Sequence, residues 1–289
     1  MTSIPAPRPA LSAPAVSASA APRPPATVPH RAWTAGRVAR WALVVAVLLG
    51  AHGVAWVSTE FSVGKLVEGW HGMARFVAEA VPPDLSWATV VEPGLQATLQ
   101  TLWIGLLGTT LSIPGALIFA FLAARNTTPG RVLYQVSRAL LSFFRAVPDV
   151  VWALIFVTAV GLGPSAGVLA LIVHNVGIMG KLWAEAMEEI DPGPTDALRT
   201  AGASRVQTVS HAVFPTVLPQ LLGLLLYRFD VNVRASLVLG LVGAGGIGFL
   251  ITKAIRLFSF DEMLTYVLMV LVLVWLTDRF SSWARAKLD

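Results

Sequence analysis

The chain has 289 residues, of which 55% are hydrophobic and only 13% are charged, and its mean hydropathy is +0.70. So little charge beside so much apolar surface excludes an ordinary soluble domain and indicates an integral membrane protein. The chain has no cysteine, which excludes disulfides and thiol chemistry, and its net charge of +5 is dispersed over many loops, unlike a nucleic-acid-binding surface.

Residues 1–36 are rich in proline, alanine and serine and contain no acidic residue. A segment of this composition cannot bury a hydrophobic core. We therefore expect a disordered tail, which the charge distribution described below places in the cytoplasm.

Six segments are apolar and long enough to span a bilayer. Five of them cover residues 41–57, 95–124, 168–184, 217–239 and 263–280. The third segment in chain order ends at Gly161, and its uninterrupted apolar part begins only after Asp149. The sequence therefore predicts an all-α membrane protein, with a first transmembrane helix over residues 37–58 and a core over residues 95–283.

Lysine and arginine are distributed unevenly between the segments that join these spans. If the amino terminus is cytoplasmic, fifteen of them lie on the cytoplasmic side and four on the other side. The four are Lys65, Arg75, Lys253 and Arg256. Basic residues accumulate in cytoplasmic loops, so we expect both termini, including residues 284–289, in the cytoplasm.

Residues 60–92 join the first two spans and are periplasmic in this orientation. Within them, Trp70, Met73 and Val77 belong to a set of apolar residues at helical spacing. The pattern predicts an amphipathic helix over residues 64–80. This helix either lies on the outer membrane surface or packs on the outer ends of the spans.

Residues 185–219, here called the knob, form a polar stretch in an otherwise apolar sequence. Four of the first seven residues are acidic, and a Pro-Gly-Pro break follows. One helix-forming run ends before Gly202, and a second is closed by Pro215 and Pro219. The pattern predicts two short helices that approach closely at Gly202 and suit docking to a soluble partner. An ordinary cytoplasmic helical hairpin is the alternative.

The fifth predicted span carries Arg228, Asp230, Asn232 and Arg234 at or near membrane depth. Each charge at a helix centre costs about 2.5–3.5 kcal/mol on insertion scales, so such residues usually face protein or a water-filled pathway. Asp230 and Arg234 are four residues apart and can pair. Arg228 has only Asn232 at that spacing. It therefore needs either a carboxylate from another span, with Asp149 the candidate, or a passing anion such as phosphate or phosphonate.

Two further spans add polar residues to the candidate water-filled pathway. Arg145 and Asp149 flank a proline turn near the inner end of the third span, and Arg138 falls on the same helical face as both. Arginines that reach toward the membrane interface are the alternative for this face. His174 and Asn175 lie in the middle of the fourth span, where they either pack as a satisfied pair or contact the substrate.

Five glycines within nine residues follow the fifth span: Gly240, Gly243, Gly245, Gly246 and Gly248. Such a run neither continues a packed helix well nor forms a strand. Non-helical backbone at membrane depth is tolerated only where protein buries it or where it lines a cavity. The run predicts a hinge or a re-entrant gate, and close helix packing through small residues is the alternative.

The sequence shows no catalytic constellation and no metal-binding motif. It also has no phosphate-binding loop of the GxxxxGK[ST] type. If ATP powers this protein, we therefore expect ATP and magnesium to bind a separate polypeptide.

The knob carries a spacing that resembles the "EAA" loop of ABC-importer permeases, although aspartate replaces the first glutamate. The matching positions are Asp196, Ala197, Leu198, Gly202, Ala203 and Pro215. In that family the loop is the coupling helix, which fits a groove on the cytoplasmic ATPase subunit. The resemblance therefore implies that these residues couple this chain to an ATPase.

Residues 143–164, 180–204 and 227–248 resemble the permease subunit of phosphonate ABC importers, and weaker similarity extends from residue 95 to the carboxyl end. The resemblance implies a six-spanning type I importer permease in the cytoplasmic (inner) membrane. It also implies a homodimer of permease chains, two cytoplasmic ATPase subunits and an extracytoplasmic phosphonate-binding protein. Transport would then proceed by alternating access coupled to ATP hydrolysis in the ATPase.

Two other functions are compatible with the same residues. One is a type I permease for another small solute, such as a methionine-like compound or a metal chelate. The other is a membrane enzyme acting on lipid phosphates, with Arg228 and Arg234 as oxyanion clamps and His174 as the base.

Overall fold

The computed structural model describes residues 34–288, so nearly all of the predicted disordered tail lies outside the described residues. The described residues form eleven α-helices, and the all-α prediction is confirmed. In chain order the helices are α1 (Ala35–Ser58), α2 (Val63–Ala80), α3 (Glu92–Ala123), α4 (Arg131–Ala146), α5 (Asp149–Val160), α6 (Pro164–Glu188), α7 (Pro192–Thr200), α8 (Arg205–Thr208), α9 (Phe214–Leu241), α10 (Ile247–Arg256) and α11 (Phe260–Arg285). Two short π-helical turns, Trp87–Val91 and Val209–Val213, lead into α3 and α9.

Five helical stretches are long and apolar enough to cross a membrane: Ala35–Ser58, Trp87–Ala123, Pro164–Glu188, Arg205–Leu241 and Phe260–Arg285. The bent pair α4–α5 makes a sixth if it crosses as one broken span. Each of the five stretches overlaps one predicted span and extends beyond it. The extension follows because apolar patterning locates the part of a helix that suits hydrocarbon, whereas the helix itself continues into polar surroundings.

Residues 34–68 belong to a structural unit of their own, which contains α1 and the start of α2. α1 buries none of its residues among the described parts of the chain. A helix that is apolar all round is expected to be covered by lipid or by another chain. The predicted amphipathic helix is present as α2, with Trp70, Met73 and Val77 exposed. Its position on the membrane surface stays a prediction.

The second unit, from residue 69 onward, is built around the packing of α3 against α6. At Gly108 of α3 a Cβ atom would lie only 2.5 Å from the Leu171 Cβ of α6. Lipid tails are as apolar as side chains, so membrane helices associate through close packing rather than through the hydrophobic effect. The face that α3 buries consists mainly of small residues, among them Gly105, Gly108, Ser112, Ala116 and Ala120.

The third predicted span is not one helix. α4 and α5 are bent by 85° at the two residues that separate them, Val147 and Pro148. Pro148 has no backbone N–H to donate, and its ring disfavours a helical conformation at the preceding residue. Val147 is accordingly extended, with φ −82° and ψ 120°. Proline chemistry therefore explains why the helix stops at this position.

Candidate functional site

Arg228 of α9 is buried, with 8% of its surface exposed. Its Nε donates a hydrogen bond to Asn175 Oδ1 of α6 (2.9 Å). Asn175 is fully buried, and its Nδ2 donates to the carbonyl oxygen of Gly108 in α3 (3.3 Å). One carboxamide therefore joins the guanidinium of α9 to two other helices, and it brings together candidate residues from two predicted spans.

Of the two partners that the sequence left open for Arg228, the Asp149 carboxylate does not form an ion pair with it, because Arg228 forms no ion pair within the described range 34–288. Asp149 is near enough for its charge to act on both Arg228 and His174.

His174 and Asn175 do not form a hydrogen bond with each other. His174 Nδ1 instead lies 3.2 Å from the carbonyl oxygen of Val147, one of the two residues that separate α4 from α5.

The predicted pair of Asp230 and Arg234 is present, with Arg234 Nη2 donating to Asp230 Oδ2. The Asp230 side chain is 4% exposed and that of Arg234 is 50% exposed, so a buried carboxylate is paired with a guanidinium at the surface of the chain. The spacing of four residues suggested that Asn232 is a partner of Arg228, but the two side chains do not form a hydrogen bond. Its Nδ2 donates to Thr109 Oγ1 of α3 (2.7 Å).

The prediction that Arg138, Arg145 and Asp149 share one helical face is wrong, because the bend at Pro148 separates Asp149 from the two arginines. Arg145 is exposed. Arg138 lies 3.9 Å from both Glu185 and Glu188, at the end of α6 that leads into the knob. Sequence reasoning missed this contact. The sequence did contain a signal for it: Glu185 and Glu188 are three residues apart on one helical face, and the segment 125–145 contains four arginines.

The first short helix of the knob, α7, ends in a Schellman motif. The N–H of Ala203 donates to the Leu198 carbonyl and the N–H of Gly202 to that of Arg199, each at 3.0 Å. Gly202 has φ +84°, and a Cβ atom there would meet nothing within 4 Å. The glycine is therefore required for a left-handed backbone conformation. The prediction that it permits close approach of two helices is wrong.

The second helix of the knob is not closed by Pro215 and Pro219. α8 continues through the π-helical turn into α9. Pro215 lies in the first turn of α9, directly after the π-helical turn, so the continuous helical stretch runs through it. The other predicted coupling positions are accessible: Asp196 and Ala197 are exposed, and Leu198 is half-buried.

The five glycines after the fifth predicted span divide into two groups. A turn separates α9 from α10, so the predicted break in the helix is present. Gly240 and Gly248 lie in the flanking helices, where a Cβ atom on Gly240 would come within 2.8 Å of the Gly248 Cα. The turn residues with a left-handed backbone, at φ values of +89°, +81° and +77°, are Gly243, Gly245 and Gly246. Both the break and the close-packing alternative are therefore present.

The start of α10 is bound to α3 by two side chains. Gln100 Oε1 accepts the N–H of Gly246 (2.8 Å), and Thr101 Oγ1 accepts the N–H of Ile247 (2.9 Å). N–H groups at a helix start have no partner within the helix, so these two side chains cap α10.

Residues 116–289 match the family model described as the inner membrane component of binding-protein-dependent transport systems. The chain belongs to this family. It is 40% identical to the phosphite transport system permease protein PtxC of Stutzerimonas stutzeri, over 82% of this chain and 86% of the relative. It is 39% identical to the phosphate-import permease protein PhnE of Mycolicibacterium smegmatis, over 87% of this chain and 47% of that longer relative.

Solved structures of similar fold include the MetNI methionine ABC transporter in inward-facing conformations. That permease has a TM-score of 0.59 and 22% identity, over 71% of this chain and 99% of its own length. An amino acid ABC transporter has a TM-score of 0.57 and 16% identity, over 67% of this chain and 93% of its own. Identities this low bear on the fold alone, and the fold is that of a type I ABC importer permease.

Family membership decides between the classes of function that the sequence left open. The chain is a multi-pass inner-membrane permease subunit of a binding-protein-dependent transport system, and it is not an enzyme. The interpretation as an enzyme acting on lipid phosphates is therefore wrong.

Proposed function

We propose that this permease carries a phosphorus oxyanion, such as phosphite, phosphate or a phosphonate, across the inner membrane, and that Arg228 meets the anion on its path. The names of relatives at about 40% identity support the substrate class. The observation that carries the role of Arg228 is its partner: the guanidinium is buried, yet its hydrogen bond goes to a neutral carboxamide.

Arg228 can bind an anion because no carboxylate forms an ion pair with it within residues 34–288, although the charge of Asp149 acts on it. Asp230 binds Arg234 on the same helix, and Asp149 accepts the N–H of the next residue, Val150, with one of its two oxygens (2.9 Å). A guanidinium has a planar fork of N–H donors that matches two oxygens of a phosphorus oxyanion. Asn232, Arg234, Arg145 and His174 then lie along or near the same path.

The assembly that we propose contains two copies of this permease and two ATPase subunits in the cytoplasm, with both permease termini on that side. An extracytoplasmic binding protein delivers the anion. The exposed α7, with Asp196 and Ala197 on its surface, docks to the ATPase, and the glycine turn before α10 acts as a gate. The positive-inside distribution of basic residues supports the orientation.

Replacing Arg228 tests the proposal. Arg228→Ala removes a buried charge, so it should reach the membrane at the parental level. Phosphite and phosphate uptake should fall about ten- to hundredfold, the range expected for lost hydrogen bonds to a charged group. Arg228→Lys should recover part of the uptake, because an ammonium supplies charge without the planar fork.

Uptake of each anion is measured with membrane abundance in the same cells, and Arg256→Ala at the exposed end of α10 is the control for loss of a basic residue. Parental uptake by Arg228→Ala would contradict the proposal. A loss of uptake that lower membrane abundance fully explains would contradict it as well.

A further inference from the structure

Asn175 has a fixed orientation that its two partners impose. Arg228 Nε can only donate, so it requires the amide oxygen of Asn175 (2.9 Å). The carbonyl of Gly108 can only accept, so it requires the amide nitrogen (3.3 Å). Exchanging the two ends of the carboxamide would lose both bonds. Asn175 is also fully enclosed, so water cannot substitute for either partner.

The other N–H groups of the Arg228 guanidinium have no hydrogen-bond partner among the described residues. Of its five N–H donors, only the one on Nε has an acceptor within residues 34–288. Nη1 and Nη2 are not among the fully enclosed polar atoms of the described chain that lack a hydrogen bond, so they reach an accessible surface. The edge formed by these two nitrogens is therefore not fully enclosed by the described residues.

A neutral acceptor at this position differs from a carboxylate in one important way. A carboxylate at position 175 would fix the guanidinium but would also cancel its charge, as Asp230 does for Arg234. A carboxamide fixes the guanidinium and leaves its charge in place. A preorganised guanidinium that has no ion-pair partner within residues 34–288 suits an anion with two oxygens on one face.

We propose that Asn175 is a positioning residue for anion recognition. It holds Arg228 through Nε so that the Nη1–Nη2 edge faces a tetrahedral phosphorus oxyanion while the positive charge of the guanidinium is retained. The proposal rests on the proposed function of Arg228 and adds to it a second residue, on a different helix, that determines affinity for the anion.

The test compares Asn175→Asp with the parental chain in phosphite and phosphate uptake, separating KM from the maximal rate per permease in the membrane. The carboxylate forms an ion pair with Arg228, so we expect KM to rise about ten- to hundredfold. The maximal rate should change much less. Asn126→Asp is the matched control. Like Asn175, Asn126 donates from Nδ2 to a backbone carbonyl distant in sequence, that of Met187, and the described residues show no arginine bound to its side chain.

A second variant, Asn175→Ala, removes the acceptor without adding charge. Arg228 is then charged but no longer held, and KM should rise less than in Asn175→Asp. A parental KM in Asn175→Asp, together with impaired uptake by Arg228→Ala, would overturn this inference and leave the proposed function standing. Parental uptake by Arg228→Ala would overturn both. If neither Asn175 variant accumulates in the membrane, Asn175 is a structural link between helices and the inference fails.

Discussion

Two glycine-dependent regions, the knob and the turn between α9 and α10, use the same residue type under different constraints. In the knob, Gly202 has a left-handed backbone and open space around it. In the turn, Gly243 and Gly246 also have left-handed backbones, but Cβ atoms there would collide with the side chains of Leu162 and Thr101. In the knob, glycine is required only for its left-handed backbone conformation. In the turn, it is required both for that conformation and because neighbouring side chains leave no room for a Cβ atom.

The two regions also differ in how they are bonded to the rest of the protein. α7 is closed by backbone bonds to its own carbonyls, so it can shift as a unit without breaking bonds to the spans. The turn is bound to α3 by Gln100 and Thr101 and to the α5–α6 connection by the N–H of Gly163, which donates to the Gly243 carbonyl (3.0 Å). A gating motion at the turn therefore has to break bonds to two neighbours.

The largest expected effect is at Gly248. A Cβ atom there would collide with the carbonyl oxygen of Leu237 and would lie 3.1 Å from the Gly240 Cα. Backbone atoms of a packed helix cannot move aside as a flexible side chain can. Gly248→Ala should therefore destabilise the protein by about 3 kcal/mol, near the upper end for overpacking. Thermal unfolding of the detergent-solubilised permease measures this effect.

Gly223→Ala is the control for Gly248→Ala, because a Cβ atom at Gly223 in α9 would meet nothing within 4 Å. Alanine is also the better helix former, so this change should leave the unfolding temperature unaltered or slightly raised. Equal unfolding temperatures for the two variants would show that the close contact at Gly248 in α10 has no more effect on stability than the open space at Gly223 in α9.

A smaller effect is expected at Thr101, which is fully buried. Thr101→Val keeps the shape of the side chain but leaves the N–H of Ile247 without its acceptor, which should cost about 2 kcal/mol. Thr98→Val is the matched control one turn earlier, because the Thr98 hydroxyl donates only to the Gly94 carbonyl of its own helix. The unfolding temperature should fall further in Thr101→Val than in Thr98→Val. The reverse order would refute the idea that α3 holds the turn.

Sequence spacing predicted the parts of the site that are local in the chain. Asp230 and Arg234 are four residues apart on one helix, so helical geometry alone brings them together. The partner of Arg228 lies 53 residues away in α6, and no local periodicity encodes which helices meet at that depth. The sequence therefore identified Arg228 and Asn175 as candidate site residues but not their hydrogen bond to each other. Of the two partners that it left open for the guanidinium, a carboxylate or an anion, Asp149 forms no ion pair with Arg228 within residues 34–288.

The fold was predictable to a similar extent. Apolar length located the spans, because hydrocarbon thickness sets a minimum for each helix. The identity of neighbouring helices was not predictable, because α3 packs mainly through small residues such as Gly108, which give the helix no one-sided apolar pattern. Pro148 signalled a break, but the 85° bend depends on packing beyond that position. For Gly202, the sequence identified the residue and misidentified the constraint.

The smallest intrinsic effect is expected at Gly202, and side-chain size should not influence it in the isolated permease. A left-handed conformation costs about 1–2 kcal/mol for most residues and less for asparagine. Gly202→Ala and Gly202→Trp should therefore raise hydrogen exchange of the knob amides equally, and Gly202→Asn should raise it less. Gly130→Ala is the control, because Gly130 has open space but an ordinary extended backbone, with φ −165°.

Adding the ATPase separates the intrinsic cost at Gly202 from the cost of docking. If the exposed face of the knob docks as proposed, the indole of Gly202→Trp occupies the space that the ATPase needs. Co-purification of the ATPase should then fall further in Gly202→Trp than in Gly202→Ala, although the two permeases match when alone. Equal retention of the ATPase by both would place the contact elsewhere on the knob. Unequal hydrogen exchange without the ATPase would mean that Gly202 is constrained by neighbours, as the turn before α10 is.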